Sequence, residues 1–117
     1  MAELFSADGA WRGGPSVMEG QQQLREGFAE RQANRERMSR HVCNNLLVDV
    51  VDADHANGVV YLTLYRHDGD EDRRVSPLPG PQIVGEYRDR FVRTPDGWRF
   101  AERKIDVSFV RETEASG

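Results

Sequence analysis

Alternating apolar and polar residues predict a long β-hairpin over Val84–Val110. Its turn is Thr94–Gly97, where a proline in second position fixes φ and the glycine accepts a positive φ. Before the turn, Tyr87, Asp89 and Phe91 share one face of the strand, and charged residues occupy the other.

The second strand of this hairpin changes its pattern part-way along. Trp98 and Phe100 are apolar at even positions, whereas the apolar residues of 105–109 stand at odd positions. Because side chains alternate with a period of two, this switch would turn the core face outward. A β-bulge between Ala101 and Lys104 would restore the phase and bend the strand. We therefore expect a curved sheet.

Helical spacing predicts one helix, Gln21–Gln32, with Leu24 and Phe28 on the same face. Ser16 and Glu19 have the spacing of a capping box at the start of this helix, and Gly20 is an alternative start of the helix. The basic stretch that follows, Arg31–Arg40, favours a solvated connection into a strand over a phosphate-binding patch, because glutamates interrupt it.

Short segments and two further strands complete the predicted elements. Ala2–Phe5 is predicted to be the last turn of a helix, and Ala10–Arg12 a short strand. Valine and leucine content predicts strands at Arg40–Val51 and Gly58–Arg66. The intervening Asp52–Asn57 is predicted to be a hairpin loop that ends in an Asn-Gly turn.

The order of elements predicts an α+β domain, in which about four long antiparallel strands curve around a helix. Such a cone would leave a pocket at its open end for a small ligand. The acidic segment His67–Gly80 lacks the spacing of a calcium loop, so a solvated loop is expected there. The whole chain, 1–117, has the length of a single domain.

Composition narrows the functional classes. The chain is 38% hydrophobic and 31% charged, with a net charge of -4. A net negative charge argues against general nucleic-acid binding and against binding to anionic membranes. The sequence has no long apolar run or signal-peptide pattern, and its single cysteine forms no internal disulfide, so a cytoplasmic location is expected.

Five segments, in order, resemble the SnoaL-like domains of the nuclear-transport-factor-2-like superfamily, which has a cystatin-like α+β cone. They are L-F-S-A-D-G-A-W-R, G-Q-Q-Q-L-R-E-G-F-A-E-R, S-R-H-V-C-N-N-L-L-V, G-V-V-Y-L-T-L-Y-R and G-E-Y-R-D-R-F-V-R-T-P-D-G-W-R-F-A-E-R. The resemblance implies the fold far more specifically than a function. Family members begin with one or two further helices before the L-F-S-A-D-G segment, and the leading helix has no match here. This difference leaves three alternatives, a truncated or misassigned start, an open pocket, or a partner chain that covers the gap.

Histidine suits acid–base work near neutral pH, and His41 is the first candidate. The resemblance to scytalone dehydratase and its relatives implies a catalytic histidine at this strand start and a second one close to His67. Facing one cavity, the pair could remove a proton next to a carbonyl and help a hydroxyl leave. A structural or merely exposed histidine is the alternative.

Asp89 is the second catalytic candidate, because flanking aromatic residues could desolvate its carboxylate and suit it to a base. The alternative is an ion pair with an arginine of a neighbouring strand. Asp106 has a similar but weaker case. Cys43 is expected to be a buried, inert thiol.

Candidate ligand-binding residues are aromatic or amide side chains that could line the pocket: Trp11, Asn45, Tyr61, Tyr87 and Trp98. The aromatic residues could equally be plain core. The three histidines lack metal-ligand spacing, and no metal or other cofactor is expected.

Two functional hypotheses follow from these residues and the resemblance. One is a small-molecule-binding protein, in its catalytic form a cofactor-independent lyase or isomerase acting on a cyclic or aromatic carbonyl compound. The other is a non-catalytic dimerisation or accessory module that resembles the β-subunits of aromatic-ring dioxygenases. A homodimer is the expected assembly under either hypothesis.

Overall fold

A computed structural model describes residues 1–69, 75–77 and 80–111 of the chain. Its elements are a 3-10 turn Ala2–Leu4, β1 Phe5–Gly13, β2 Ser16–Glu19, α1 Gly20–Ala33, β3 Arg37–Val50, β4 His55–Asp68, β5 Ile83–Thr94 and β6 Gly97–Val110. The helix confirms the predicted Gln21–Gln32, with one more residue at each end. Half of the predicted acidic loop, residues 70–74 and 78–79, lies outside the described residues.

The described strands form one curved sheet of six strands in the order β2-β1-β6-β5-β4-β3. The prediction of an α+β fold is confirmed. The predicted number of strands, about four long antiparallel ones, was too low, because the described sheet has six. The sheet is also mixed, because β1 pairs with β6 in parallel. Only the part of β1 around Ala10–Arg12 was predicted, since Ser6, Asp8 and Gly9 weaken the strand pattern upstream.

The β5–β6 hairpin confirms the predicted turn and bulge. Arg90 lies opposite Glu102 and Phe91 opposite Phe100, so Ala101 is the extra residue. A second bulge follows at 108. In the turn, the Thr94 hydroxyl donates a hydrogen bond to the Gly97 carbonyl at 2.8 Å, and Gly97 has the positive φ (111°) that its type allows.

The predicted capping box is wrong, because Ser16–Glu19 is itself strand β2, paired antiparallel with β1. The helix starts instead at the alternative position, Gly20. Glu19 precedes it in an extended conformation, and no side chain caps the helix. The backbone N–H of Glu19 donates a hydrogen bond to the side chain of Gln23 at 2.9 Å, which stabilises the direction in which the chain enters the helix.

The predicted Asn57-Gly58 turn is also wrong. Asn57 lies inside β4, opposite Asp49 of β3, and the reversal occurs earlier at 51–54. The Asp52 carboxylate accepts the backbone N–H of Asp54 at 2.8 Å and lies 2.8 Å from Nδ1 of His55. Such aspartate-capped turns compete effectively with an asparagine-glycine step.

One face of the sheet carries the core, and we call it the inner face. It presents Val60, Leu62 and Leu64 of β4, none more than 6% exposed, together with Tyr87 of β5. The helix packs on this face near β1 and β6, where Leu24 is fully buried. Strand β3 forms the far edge and is exposed from residue 40 onward.

No helix among the described residues is long and apolar enough to cross a membrane. The cytoplasmic location stays a prediction from the sequence.

Candidate functional site

A buried ion pair joins β5 and β6 on the inner face. Arg103 donates from Nε and Nη2 to the two carboxylate oxygens of Asp89, each at 2.9 Å. The two residues are directly opposite in the strand register. The Asp89 side chain is 1% exposed and that of Arg103 16%. The ion pair weighed as the alternative for Asp89 is therefore present, and both carboxylate oxygens are occupied.

Two aromatic rings flank the guanidinium of Arg103. It lies 3.9 Å from the ring centre of Tyr87 and 4.5 Å from that of Phe100. This stacking, together with the bidentate pair, fixes the arginine in one orientation. Tyr87 is only 6% exposed, and burial raises the pKa of its phenol, so the hydroxyl stays protonated as a hydrogen-bond donor.

A second arginine reaches the same region from the last turn of α1. The guanidinium of Arg31 lies 4.4 Å from the ring centre of Trp11 and 5.8 Å from that of Phe28. Trp11 is in turn the register partner of Arg103 between β1 and β6. Desolvation, the largest cause, lowers the pKa of Arg31. The residue as a whole is nevertheless exposed, so solvent can reach it.

His41 lies on the inner face of β3, opposite the buried Leu64. It is exposed overall, yet desolvation is the largest cause that lowers the pKa of its imidazole. The positive charges of Arg66, Arg31 and Arg103 lower the pKa further, which places the histidine within electrostatic reach of both arginines described above. The imidazole is accordingly neutral at pH 7 and able to accept a proton.

We call these six residues the interior polar cluster: Trp11, Arg31, His41, Tyr87, Asp89 and Arg103. Within this cluster one neutral imidazole can accept a proton. The Tyr87 hydroxyl and the guanidinium groups can donate hydrogen bonds to a developing oxyanion. The cluster thus combines the parts needed for proton removal next to a carbonyl.

Several predicted site residues lie on the opposite, outer face. His67 pairs with Met38 and alternates with the inward Arg66, so the expected histidine pair facing one cavity is wrong. Tyr61 is also on the outer face and 53% exposed. Asp106 faces outward, where it pairs with Arg88 at 2.8 Å.

Two more candidates fall outside the cluster, and the expectation for Cys43 is wrong. Asn45 sits in a β-bulge with a φ of 58°, which breaks its expected alternation with His41. Trp98 is 42% exposed at the hairpin end, roughly 15 Å along β6 from Arg103 at the usual rise per residue. Cys43 is exposed rather than buried, like the rest of β3 from residue 40 onward.

His41 lines neither of two cavities found among the described residues. One, of about 300 Å³, lies where α1 meets β3, and Arg31 and Ser39 contribute to its wall. The other, of about 280 Å³, lies between Ile83 and Val110 at the sheet end. The pocket at the open end of the cone stays a prediction from the sequence.

Arg31 and Arg103 were not recognised from the sequence as site residues. Arg31 stands three residues after Phe28 and seven after Leu24, which places it on the apolar face of the helix. A charged residue at such a position is the signal that could have identified it. For Arg103, the signal is its place opposite Asp89 once the bulge is set at Ala101.

The described residues contain no cluster of histidine, cysteine or carboxylate side chains that could hold a metal ion.

The sequence profile of the SnoaL-like domain matches residues 1–104. This chain belongs to the SnoaL-like domain family. The resemblance noted in the sequence is thereby confirmed. No curated protein sequence matches this SnoaL-like chain.

Solved structures agree with the family assignment. Rv3472 of Mycobacterium tuberculosis, of unknown function, is 27% identical with a TM-score of 0.73, over 97% of this chain and 62% of that one. A Novosphingobium aromaticivorans protein provisionally named scytalone dehydratase is 19% identical with a TM-score of 0.75, over 94% and 70%. A hexachlorocyclohexane dehydrochlorinase, LinA type 2, is 18% identical with a TM-score of 0.74, over 94% and 71%.

Further matching structures are described as cystatin-like and NTF2-like folds. Identities this low establish the fold of the SnoaL-like chain, and fold alone does not assign a reaction. The chain spans less than two thirds of the length of Rv3472.

Proposed function

We propose that this SnoaL-like protein, as a single domain over 1–117, binds a small cyclic or aromatic carbonyl compound and catalyses a cofactor-independent proton transfer on it, as a lyase or isomerase. The observation that carries the proposal is the neutral His41 on the same inner face as Tyr87 and Arg103. A base and oxyanion donors are the minimum set for removing a proton next to a carbonyl.

Four residues of the cluster have a defined part in this proposal. His41 accepts the proton from the carbon beside the carbonyl. Tyr87 and Arg103 donate hydrogen bonds to the enolate oxygen that forms. Asp89 assists by holding Arg103 in place, since both of its carboxylate oxygens are already bound. Two fold neighbours bear the names of elimination enzymes, a dehydratase and a dehydrochlorinase, and proton removal is part of an elimination.

Proton–deuterium exchange tests this proposal without knowledge of the natural substrate. The probe is 1-indanone in D2O, followed by NMR at its position next to the carbonyl. We expect the wild-type protein to accelerate exchange and His41→Ala to lose about 100-fold or more of that acceleration. His67→Ala, on the outer face, is the matched control and should exchange as fast as wild type. Full exchange by His41→Ala would exclude His41 as the base.

A second function, a dimerisation or accessory module, is favoured by exposed apolar side chains along β3. Those more than 40% exposed are Val42, Leu46, Leu47, Val48 and Val50. Exposed apolar side chains on both faces of an edge strand are unusual for a monomer and mark an interaction site. We propose that a second copy of this chain covers it. Light scattering should give a dimer mass, and a monomer across a wide concentration range would contradict this assembly.

A further inference from the structure

We infer that Arg31 and Arg103, with Trp11 between them, form a binding site for a planar organic monoanion, most simply an aromatic carboxylate. This inference rests on the proposed small-molecule function and specifies the charge of the ligand. It assigns a ligand-binding role to two arginines of the interior polar cluster.

The placement of Arg31 is the first argument. Its guanidinium carbon lies 4.4 Å from the ring centre of Trp11 and 5.8 Å from that of Phe28, within the range of cation–π contacts. Among the described residues it makes no hydrogen bond and no ion pair. Its N–H groups are therefore both oriented by the stacked rings and available to an incoming acceptor.

Arg103 supplies a second set of donors on the same side of the sheet. Its Nε and Nη2 are bound to Asp89 at 2.9 Å each, which leaves the N–H groups of Nη1 for another acceptor. Trp11 is the register partner of Arg103, and its ring contacts Arg31, so both arginines are neighbours of the same tryptophan.

The balance of charge selects the class of ligand. Arg103 is already paired with Asp89, whereas Arg31 makes no ion pair with a described residue. The positive charge of Arg31 is therefore the one that a single negative charge on the ligand would neutralise. A carboxylate matches the planar guanidinium fork, and an aromatic ring attached to it could lie against Trp11.

The open geometry next to the cluster gives such a ligand access. Arg31 is exposed as a residue, and it also forms part of the wall of the cavity of about 300 Å³ between α1 and β3. That volume lies at the lower end of small-molecule sites. Arg31 is the one member of the interior polar cluster in the described wall of this cavity, so the cavity gives a ligand access to Arg31 from the β3 side.

Tryptophan fluorescence gives a direct binding test. The chain has two tryptophans, and Trp98→Phe leaves Trp11 as the reporter, since Trp98 lies outside the cluster. The probe is benzoate, with benzamide as its uncharged isostere. We expect saturable quenching by benzoate, weaker binding of benzamide by about tenfold or more, and a loss of benzoate affinity at higher salt.

Two variants in that background separate the site from general surface charge. Arg31→Gln should weaken benzoate binding about tenfold while leaving benzamide unchanged. Arg25→Gln is the matched control, because Arg25 lies on the same helix and contacts Gln21 rather than a ring. It should bind benzoate as wild type does.

The outcomes separate the anion site from the proposed reaction. Equal binding of benzoate and benzamide, or equal loss in both variants, would overturn the anion site even if 1-indanone exchange persists. Conversely, no exchange of 1-indanone together with Arg31-dependent benzoate binding would support the anion site and count against the proposed proton transfer.

Discussion

The two edges of the sheet differ sharply in how they are packed. At one edge, β1 and β2 are closed by the helix, and Leu24 is fully buried against Phe5 and Met18. At the other, β3 is exposed along most of its length, with Val50 71% exposed. Arg31 and Arg103 belong to the closed side, whereas His41 stands on the open strand. The interior polar cluster therefore lies at the boundary between the closed and the open side of the sheet. Its two arginines are held by packed neighbours, and its base, His41, lies near solvent.

The sharpest way to break this comparison is to disrupt the buried pair on the closed side. Asp89→Asn leaves Arg103 without its counter-charge at a site where the carboxylate is 1% exposed. We expect a loss of about 3–5 kcal/mol in the free energy of unfolding, measured by urea denaturation. Asp106→Asn removes an exposed pair with Arg88 and should cost less than about 1 kcal/mol. Similar losses in the free energy of unfolding for the two variants would contradict a special role for the Asp89–Arg103 pair.

Truncation of leucines compares the two edges directly. Leu24→Ala removes a side chain with no exposure and should cost about 2–5 kcal/mol through lost burial and a cavity. Leu47→Ala, on β3, removes one that is 62% exposed. In a monomer its cost should stay within about 0.5 kcal/mol. A large loss for Leu47→Ala would show instead that β3 is covered in solution, and its dependence on protein concentration would identify a dimer.

The smallest expected effect concerns pH. The folded-state pKa of His41 is lowered, chiefly by desolvation, so the unfolded chain binds the proton first as pH falls. The contribution of His41 to stability is complete above the unfolded value of about 6.5 and declines below it. His41→Gln should therefore flatten the decrease in melting temperature between about pH 7.5 and 5.5. His67→Gln is the control, and an unchanged slope in His41→Gln would contradict this origin.

Local patterns predicted most of the fold. The phase switch after Phe100 located the bulge, and the Thr94–Gly97 sequence located the turn. Both are features that neighbouring residues determine. The parallel pairing of β1 with β6 was not predicted, because it joins segments about 90 positions apart and leaves no periodic signal in either one.

The candidate site was predicted less well, and the reason is orientation. The structure has His41 and Tyr87 on the inner face, and Tyr61 and His67 on the outer face. Alternation divides a strand into two faces but does not say which one meets the core. Arg31 was missed because a run of charged residues resembles a solvated connection, although helical spacing puts this one beside Phe28.

The parallel pairing of β1 with β6 also bears on how the chain folds. The salt bridge from Arg12 to Glu102 spans 90 residues, and Phe100 completes the hydrophobic cluster around Leu24. During synthesis, the helix and β1 therefore emerge long before the strand that seals them. Contacts of such high sequence separation slow folding. The apolar face of the helix is exposed to solvent until β6 has been synthesised and pairs with β1. For this chain, the best-packed edge is the last to be completed.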